Sequence, residues 1–345
     1  MRRISLFVPA PFATVSGGYN YDRAIVAGLR ARGDRVDVLE LAGTHPLADE
    51  AALASARAAW DALPPDSVPL IDGLCLPAFA PLADALAARR AVGLIHHPTA
   101  LETGHDETTR EALRATERAL MPRLARAIVT SAPTGKRLTE EFGVAAENIA
   151  VVVPGTAPAP RATGSGGPGC AILSLAVITR RKGHDVLLRA LARLPDLDWT
   201  LTIAGAPRDP AHARALAALA DELGIARRVT FAGEVIEAAL EQLWTHADVF
   251  ALATYYEGYG MAIAEALKRG LPVATTSGGA AGDLVTPESG IVIAPGDDGT
   301  LARAMRRMIF DTALRAEMAE AAWRIGQSLP DWPTQSEAFA AALAP

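Results

Sequence analysis

Short runs of apolar residues recur along the whole chain, separated by longer segments in which apolar and polar residues follow helical spacing. A short apolar run bounded by turn residues is typical of a strand whose two faces are both covered in a sheet. The runs in the first half predict strands over residues 4–8, 36–41, 68–71, 92–95, 128–130 and 149–153. Those in the second half predict strands over residues 171–175, 200–204, 229–231, 249–252, 272–275 and 291–293. Helices rich in Ala, Leu and Arg separate the runs, so the alternation predicts an α/β fold with two doubly wound parallel sheets.

A stretch dense in Pro and Gly divides the two halves. Residues 154–169 contain these two residue types so often that they form neither a helix nor a central strand. We therefore predict a first domain over residues 1–157, a linker over residues 158–169 and a second domain over residues 170–329. The final segment, 330–345, predicts a short amphipathic helix.

Composition limits the class of protein. The chain has 345 residues, enough for two domains, and half of them are apolar, enough for two cores. Its net charge of −6 argues against nucleic acid as the partner. The two cysteines, Cys75 and Cys170, fall in different halves without metal-site spacing, which favours a reduced, cytoplasmic protein. Apolar runs are too short for a membrane span or, at the N-terminus, for a signal peptide.

Two glutamates separated by seven residues form the most informative pattern. Glu257 lies in a glycine-broken loop after the predicted strand 249–252, and Glu265 lies on the helix that follows. That helix begins near Gly260, so its first N–H groups are free to bind an anion. Most such glutamates lie on solvated faces, but Glu265 is surrounded by Ala, Ile, Leu and Met, and a buried carboxylate needs a partner. The pattern favours a site for a sugar and a phosphate that also includes Gly258, Tyr259, Gly260 and Met261.

A basic turn predicts a phosphate site. Arg181 and Lys182 follow the strand around residues 171–177 and precede a helix that begins near Gly183. Cations at a helix N-terminus oppose the helix dipole, and an anion bound beside them turns this conflict into attraction. The alternative is a solvated basic turn. Arg180 lies in the same turn, so either Arg180 or Arg181 could supply the second charge beside Lys182.

Two other motifs are decoys. Gly164, Gly166 and Gly169 spell the dinucleotide-binding pattern GxGxxG, but they follow a Pro-rich coil and precede a strand, the reverse of the required context. The DxD pair Asp196 and Asp198 precedes a strand rather than ending one. Neither predicts a nicotinamide cofactor or a metal–nucleotide site.

Several segments together resemble one enzyme family. Residues 257–265 resemble the E-x7-E motif of retaining GT-B glycosyltransferases of family four, and residues 181–188 resemble its "rKGhdvLl" turn and helix. Residues 16–19, 278–285 and 289–297 are similar to its glycine-rich first loop, its "Gg-ipElV" loop and its "Gllv-pgD" strand. This resemblance implies the GT-B fold, in which two Rossmann-like domains face a central cleft and the last helix crosses back to the first, acceptor-side domain.

The resemblance also implies roles for particular residues. The substrate would be a nucleoside-diphosphate sugar held mainly by the second domain, with no metal or other cofactor. Arg181 and Lys182 would neutralise the diphosphate, Glu257 would contact the sugar and Glu265 the ribose. Further residues implied at the donor site are Gly17, Gly18, Asp283 at the place of the family's glutamate, and either His96 or His97 across the cleft. The family's additional arginine, several residues before the lysine, is absent.

Alternatives remain at this stage. Another GT-B enzyme, such as a nucleotide-sugar epimerase or a phosphorylase, or a non-catalytic sugar-nucleotide-binding relative, would carry similar motifs. The donor base, the sugar and the hydroxyl acceptor stay open. A basic helix predicted over residues 106–126 is either a peripheral membrane contact or a salt-bridged solvated face, and its interleaved glutamates favour the second.

Overall fold

The computed structural model describes residues 1–102 and 104–343, without the side chain of Glu237. The chain forms two compact units: Met1–Gly155 together with the segment that starts at Pro330, and Thr156–Leu329. The first unit contains β1 (Arg3–Pro9), α1 (Gly17–Ala31), β2 (Arg35–Leu41), α2 (Glu50–Asp61), β3 (Ser67–Asp72), α3 (Ala83–Ala88), β4 (Val92–Ile95), α4 (Glu107–Leu120), β5 (Arg126–Val129), α5 (Ala132–Phe142) and β6 (Ile149–Val151). The second contains β7 (Cys170–Leu175), α6 (His184–Ala192), β8 (Trp199–Ala204), α7 (Pro210–Glu222), β9 (Val229–Gly233), α8 (Glu237–His246), β10 (Val249–Leu252), α9 (Met261–Lys268), β11 (Val273–Thr276), β12 (Gly290–Ile293), α10 (Asp298–Phe310) and α11 (Thr312–Ser328). The last helix, α12 (Trp332–Ala342), belongs to the first unit.

Each unit is built around one six-stranded sheet of parallel strands. The strand order is β2-β1-β3-β4-β5-β6 in the first unit and β12-β11-β10-β7-β8-β9 in the second. Every strand that the apolar runs predict is present, and the predicted α/β fold class is confirmed. The order reverses between β1 and β3 and between β7 and β10. In open parallel sheets, ligands bind beyond the carboxyl ends of the strands at such a reversal, the switch point.

Consecutive residues of β10 face opposite sides of the second sheet. Val249 and Ala251 pack with apolar residues of α6, α7 and α10. Phe250 and Leu252 pack instead with apolar residues of α8 and α9. Because helices cover both faces, all four positions are buried and the strand is a continuous apolar run. The carboxyl end of this rigid strand carries the loop that holds Glu257.

The last helix packs against α1 in the first unit. The ring of Tyr21 contacts those of Trp332 and Phe339, with ring centroids 5.7 Å and 6.4 Å apart. Gly28 lies so close to α12 that a Cβ atom at its position would lie 1.9 Å from Ser336 Oγ. The absence of a side chain at residue 28 therefore permits the close approach of the two helices, and residues of α12 complete the core of the first unit.

The Pro/Gly-rich segment has no regular secondary structure between β6 and β7, but much of it is fixed to the second unit. The Arg161 guanidinium pairs with Glu320 at 2.5 Å. The backbone N–H groups of residues 162–164 donate to the carbonyl oxygens of Arg269 and Thr245 over 2.9–3.0 Å. Backbone donors need acceptors even where no helix or strand forms, and this docking provides them. The predicted linker 158–169 is therefore part of the second unit, which begins at Thr156.

The basic helix is shorter than predicted. Its expected range was 106–126, but α4 ends at Leu120 and Arg126 already begins β5. Pro122 accounts for the end of the α-helix, because proline has no N–H to donate to the carbonyl oxygen four residues earlier. Residues 121–123 continue as one 3₁₀ turn, and Leu124 is extended. Among residues 1–102 and 104–343, no helix is long and apolar enough to cross a bilayer.

One glutamate of α4 is not part of a solvated face. Glu117 is buried, and its Oε1 accepts hydrogen bonds from Thr99 N at 2.7 Å and Thr99 Oγ1 at 2.8 Å. Its Oε2 accepts one from Ala100 N at 3.1 Å. The exposed pair Glu107 and Arg110 does form the predicted ion pair. The carboxylate of Glu117 thus fixes the segment that follows β4.

Both cysteines are buried free thiols, Cys75 in the first unit and Cys170 in the second. Burial raises the pKa of each thiol, that of Cys170 to about 12. A buried thiol that stays protonated is a poor nucleophile, so neither cysteine has the character of a reactive residue.

Candidate functional site

The loops that follow β7 and β10 meet at the switch point of the second unit. The Tyr255 N–H donates to the Arg181 carbonyl oxygen at 2.7 Å, and Thr254 Oγ1 donates to the same oxygen at 3.0 Å. Gly183 has a φ of 62°, and a Cβ atom there would lie 2.0 Å from the carbonyl oxygen of Ala253. Only glycine allows this backbone conformation and this approach. The glycine at residue 183 therefore brings the basic turn against the loop of Glu257.

Three sequence-predicted side chains come together at this point. Lys182 Nζ donates to Glu257 Oε1 at 2.6 Å, and Arg181 Nη1 lies 3.6 Å from the same oxygen. Arg181 Nη1 also donates to the Tyr256 carbonyl oxygen at 2.6 Å. The side chains of Arg181, Lys182 and Glu257 are between 10% and 13% exposed, whereas Arg180 is exposed to solvent. Of the two candidate arginines, Arg181 is the one beside Lys182 and Glu257.

The charge of Glu257 depends on these two cations. Burial alone would raise the pKa of Glu257, but the Lys182 and Arg181 charges and the hydrogen bond from Lys182 outweigh burial. The pKa of Glu257 is therefore lower than its ordinary value, and the side chain is a carboxylate at neutral pH. The cluster has two cations and one anion, which leaves a net positive charge suited to an anionic ligand.

The loop after β11 fixes the backbone of Glu257. The Glu257 N–H donates to the Gly278 carbonyl oxygen at 3.0 Å, and the Ala280 N–H donates to the Glu257 carbonyl oxygen at 2.9 Å. Gly279 has a φ of 66°, and a Cβ atom there would lie 2.2 Å from the Glu257 carbonyl oxygen. The resemblance to the "Gg" loop thus coincides with a glycine that the packing requires.

Glu265 lies on α9, about one helical turn after Met261, the first residue of that helix. The helix buries Ile263, Ala266 and Leu267, while Glu265 itself is half-buried. Among the described residues, no side chain or backbone group donates a hydrogen bond to the Glu265 carboxylate. Burial raises the pKa of Glu265 to about 7, partly offset by the positive charge of Arg269. The carboxylate is available to a ligand hydroxyl.

The remaining residues predicted in the second unit differ in exposure. Tyr259 is buried, and burial raises its pKa to about 12, so the side chain stays a neutral phenol. Gly260 has a φ of 102° and precedes Met261, the half-buried first residue of α9. Gly258 is also half-buried. Asp283 is exposed, and its carboxylate has no hydrogen bond to another described residue.

The switch point of the first unit holds the predicted glycines and His96. Gly17 and Gly18 are the first residues of α1 rather than loop residues. A Cβ atom at Gly18 would lie 3.3 Å from His96 Cδ2. His97 lies apart from these groups in its bonding, since its Nε2 is 2.9 Å from Glu102 Oε2. Of the two candidate histidines, His96 is therefore the one that contacts the first residues of α1.

Sequence reasoning missed two carboxylates beside His96. Its Nε2 lies 3.0 Å from Asp22 Oδ1 and 3.5 Å from Asp72 Oδ2, and both aspartates are buried. A signal for Asp72 exists, because it is an acid that directly ends a buried strand, β3, at the switch point. Asp22 follows Gly18 by one helical turn, so it faces the same side of α1. A ring nitrogen of His96 and one carboxylate oxygen from each aspartate all lie within 4.8 Å of one another.

The decoy motifs have other roles. Asp196 forms a two-pronged ion pair with Arg306, with distances of 2.7 Å and 2.8 Å, and these hydrogen bonds lower its pKa to about 2. The glycines of the GxGxxG pattern precede β7 and open no helix.

Comparisons with known proteins agree with this geometry. Residues 161–324 match the family described as glycosyl transferases group 1, and residues 12–155 match the glycosyl transferase 4-like domain. The two matches take in most of both units. The chain is therefore a member of the group 1 glycosyltransferases with the GT-B fold.

Individual relatives show how far the similarity extends. A segment is 33% identical over 150 residues to the lipopolysaccharide core biosynthesis glycosyltransferase LpsE of Rhizobium meliloti, covering 43% of this chain and 42% of that protein. The structure of sucrose-phosphate synthase from Thermosynechococcus elongatus is similar with a TM-score of 0.83 at 19% identity, covering 99% and 98% of the two chains. Anabaena HepE in complex with UDP-glucose is similar with a TM-score of 0.77 at 20% identity, covering 99% of both. The aligned segments span 22% to 50% of the lengths of the curated relatives.

Proposed function

We propose that this protein is a retaining glycosyltransferase that moves a sugar from a nucleoside-diphosphate sugar to a hydroxyl acceptor. The observation that carries the proposal is the ion pair of Lys182 with Glu257, joined by Arg181, at the switch point between β7 and β10. Two cations there suit a diphosphate, and the carboxylate beside them suits the hydroxyls of the attached sugar.

The proposed chemistry follows the movement of charge. As the glycosidic bond breaks, negative charge grows on the leaving diphosphate and positive charge develops on the sugar. Lys182 and Arg181 stabilise the negative charge on the diphosphate, and Glu257 faces the positive charge on the sugar. Fixed charges of this kind, aimed at charge that develops in the transition state, often supply the largest share of catalysis. In the retaining mechanism that the resemblance implies, the acceptor oxygen bonds to the anomeric carbon on the face the diphosphate leaves, and the departing phosphate takes the acceptor's proton.

Other residues complete the proposed donor site. The Glu265 carboxylate would accept hydrogen bonds from the ribose hydroxyls, and a role for His96 at the sugar rests on the family resemblance alone. This reaction requires neither a metal nor another cofactor. HepE binds UDP-glucose, but the fold similarity does not assign its base to this chain, so UDP, GDP and ADP donors are all candidates.

A donor screen tests the proposal. Thermal unfolding is measured with UDP-, GDP- and ADP-sugars, and the donor that stabilises the protein is then incubated in labelled form with and without candidate hydroxyl acceptors. Slow hydrolysis of the donor, together with transfer that retains the anomeric configuration of the donor sugar, supports the proposal. Inverted product would contradict the retaining mechanism.

Other outcomes of the screen favour the alternative functions. Conversion of the donor to its epimer favours an epimerase, and exchange of the sugar with inorganic phosphate favours a phosphorylase. Binding without any turnover favours a non-catalytic relative.

A further inference from the structure

His96 is held from one side by two buried carboxylates. Asp22 comes from α1 and Asp72 from the end of β3, and their side chains are 1% and 4% exposed. Both approach the same ring nitrogen, Nε2, at 3.0 Å and 3.5 Å. When both acids are ionised, a nitrogen that faces their oxygens carries a proton, because its lone pair would repel both carboxylates.

The other ring nitrogen is free. Nδ1 of His96 has no hydrogen-bond partner among residues 1–102 and 104–343, and the side chain is 19% exposed. The ring is also fixed in orientation, since Tyr21 packs against it edge-on with centroids 5.3 Å apart and Gly18 lies at its Cδ2 edge. The imidazole therefore presents Nδ1 as the atom that can reach a ligand.

Charge balance decides the state of Nδ1. Two buried carboxylates without a cation would be strongly destabilising, and like charges this close would keep one of them protonated. Among the described residues, His96 is the cationic partner of both Asp22 and Asp72. Asp72 Oδ1 also accepts the Leu74 N–H at 2.7 Å, whereas Asp22 Oδ2 is buried and has no hydrogen bond to any residue that the structure describes.

Three other titratable side chains among the described residues interact with these carboxylates, and none is charged near neutral pH. Burial lowers the pKa of His45, which interacts with Asp72, so this side chain stays a neutral imidazole. Tyr21 of α1 and Cys75, which follows β3, face the same carboxylates, and burial raises the pKa of each well above its ordinary value. Thr130, which donates to the His96 carbonyl oxygen at 3.2 Å, is uncharged. Burial lowers the pKa of His96, but the charges and hydrogen bonds of Asp22 and Asp72 outweigh burial and raise it to about 10. Burial in turn raises the pKa of Asp22 to about 7.

We propose that Asp22 and Asp72 are positioning residues that hold His96 as an imidazolium, so that its Nδ1–H is a permanent hydrogen-bond donor at the switch point of the first unit. The group it serves is a ligand oxygen, a hydroxyl or a phosphate. The catalytic meaning of this donor rests on the proposed function, but its protonation state does not, and the two are tested separately.

Nuclear magnetic resonance of the imidazole nitrogens tests the protonation state without any substrate. The protein is labelled with ¹⁵N at histidine, and nitrogen–proton correlations distinguish the imidazolium from either neutral tautomer. His96→Gln identifies the signal of residue 96, and the signal of His97, whose Nε2 faces the Glu102 carboxylate, is the internal reference. The titration runs from pH 5 to pH 11 on the parent protein, Asp22→Asn, Asp72→Asn and the control Asp61→Asn, which removes an exposed charge on α2.

The proposal predicts that the parent His96 is still an imidazolium at pH 8, where an ordinary histidine with a pKa of about 6.5 is about 3% protonated. It predicts that the pKa of His96 falls by half a pH unit or more in both Asp22→Asn and Asp72→Asn and is unchanged in Asp61→Asn. A parent His96 that is neutral at pH 8 overturns the proposal even if neither variant folds. A fall in only one variant, or in neither, overturns the joint role of the two carboxylates.

Activity supplies the second readout once a donor is known. Both asparagine variants are expected to lose activity as pH rises through their lowered His96 pKa, which the resonance titration measures, at pH values where the parent protein keeps its activity. A uniform loss at all pH values indicates a structural role alone and overturns the positioning role. If no donor is turned over by the parent protein, the proposed function fails while the resonance result still stands.

Discussion

Lys182 Nζ and Glu257 Oε1 lie 2.6 Å apart, although 75 positions separate the two residues in sequence. The lysine follows β7 and the glutamate follows β10, so the ion pair spans the switch point of the second sheet. The cation proposed to bind the diphosphate is thus also the one that fixes the carboxylate proposed to bind the sugar. A change at either residue is expected to alter the position of the other.

Lys182→Ala is expected to weaken binding of a nucleoside diphosphate by about 1.5–3 kcal/mol, the range for a hydrogen bond to a charged group. The same change is expected to reduce the free energy of unfolding by about 1–3 kcal/mol, because it leaves the buried Glu257 carboxylate with only the more distant Arg181. Calorimetry with the nucleotide and denaturant unfolding measure the two effects. Arg180→Ala, in the same turn, is expected to change stability by no more than about 0.5 kcal/mol. Equal effects of the two variants on nucleotide binding would contradict the assignment of the site.

The two glutamates are expected to differ in kinetics. Glu265→Gln removes a contact to ribose that is the same in the ground and transition states, so it should raise KM for the donor more than it lowers kcat. Glu257→Gln removes a charge beside the sugar, where positive charge develops, so it should lower kcat more than donor affinity. Steady-state kinetics and separate binding measurements on both variants distinguish these effects. Turnover and affinity within about twofold of the parent for both would indicate that the carboxylates are not part of the site.

Donor binding is expected to release a proton near pH 7. The pKa of Glu265 is about 7 because burial disfavours its charge, and hydroxyl groups that donate to the carboxylate stabilise the charged form. Binding therefore lowers this pKa, and at pH 7 up to about half a proton leaves per donor bound. Calorimetry in buffers of different ionisation enthalpy measures the release, with a nucleotide sugar as ligand. The release should disappear in Glu265→Gln, and an unchanged value in that variant would assign the proton to another group.

Glu117→Ala is expected to destabilise the first unit by about 2–4 kcal/mol. The change leaves the N–H groups of Thr99 and Ala100 without their acceptor, and each unsatisfied buried donor costs about 1–3 kcal/mol. Glu117→Gln keeps one acceptor oxygen and should cost less. Glu111→Ala, an exposed change on the same helix, is the matched control and should have little effect in thermal unfolding. A loss as large in the control would mean that helix propensity, rather than the buried carboxylate, sets the stability.

The strands and the first group of site residues could be predicted because their signals are local. A strand covered on both faces is a continuous apolar run, and the parallel arrangement places whatever follows such runs at one edge of the sheet. Arg181, Lys182 and Glu257 each follow a run of this kind. Their mutual pairing could not be predicted, because it depends on strand order, which places β10 beside β7.

The missed residues share a different property. Asp22, Asp72 and Glu117 are single acids whose partners come from other elements. Asp72 at least ends a predicted strand, but nothing in the sequence around Asp22 or Glu117 indicates burial. Composition favours exposure for such residues, since carboxylates are rarely buried. Their burial is explained by tertiary contacts: His96 for the two aspartates and the backbone N–H groups of residues 99 and 100 for Glu117. A similar limit applies to the linker, whose composition does not show that residues 161–164 dock on the second unit.

Because α12 belongs to the first unit, the second unit is inserted in sequence between two segments of the first. Residues 156–329 form the inserted unit, between Gly155 and Pro330. Trp332 and Phe339, which follow it in sequence, pack against Tyr21, which precedes it. A chimera that exchanges only the C-terminal half at one junction would replace α12 with a foreign helix, and Ser336 against Gly28 leaves room for few substitutes. Exchange at two junctions, which keeps the native last helix, is the recombination that the architecture permits.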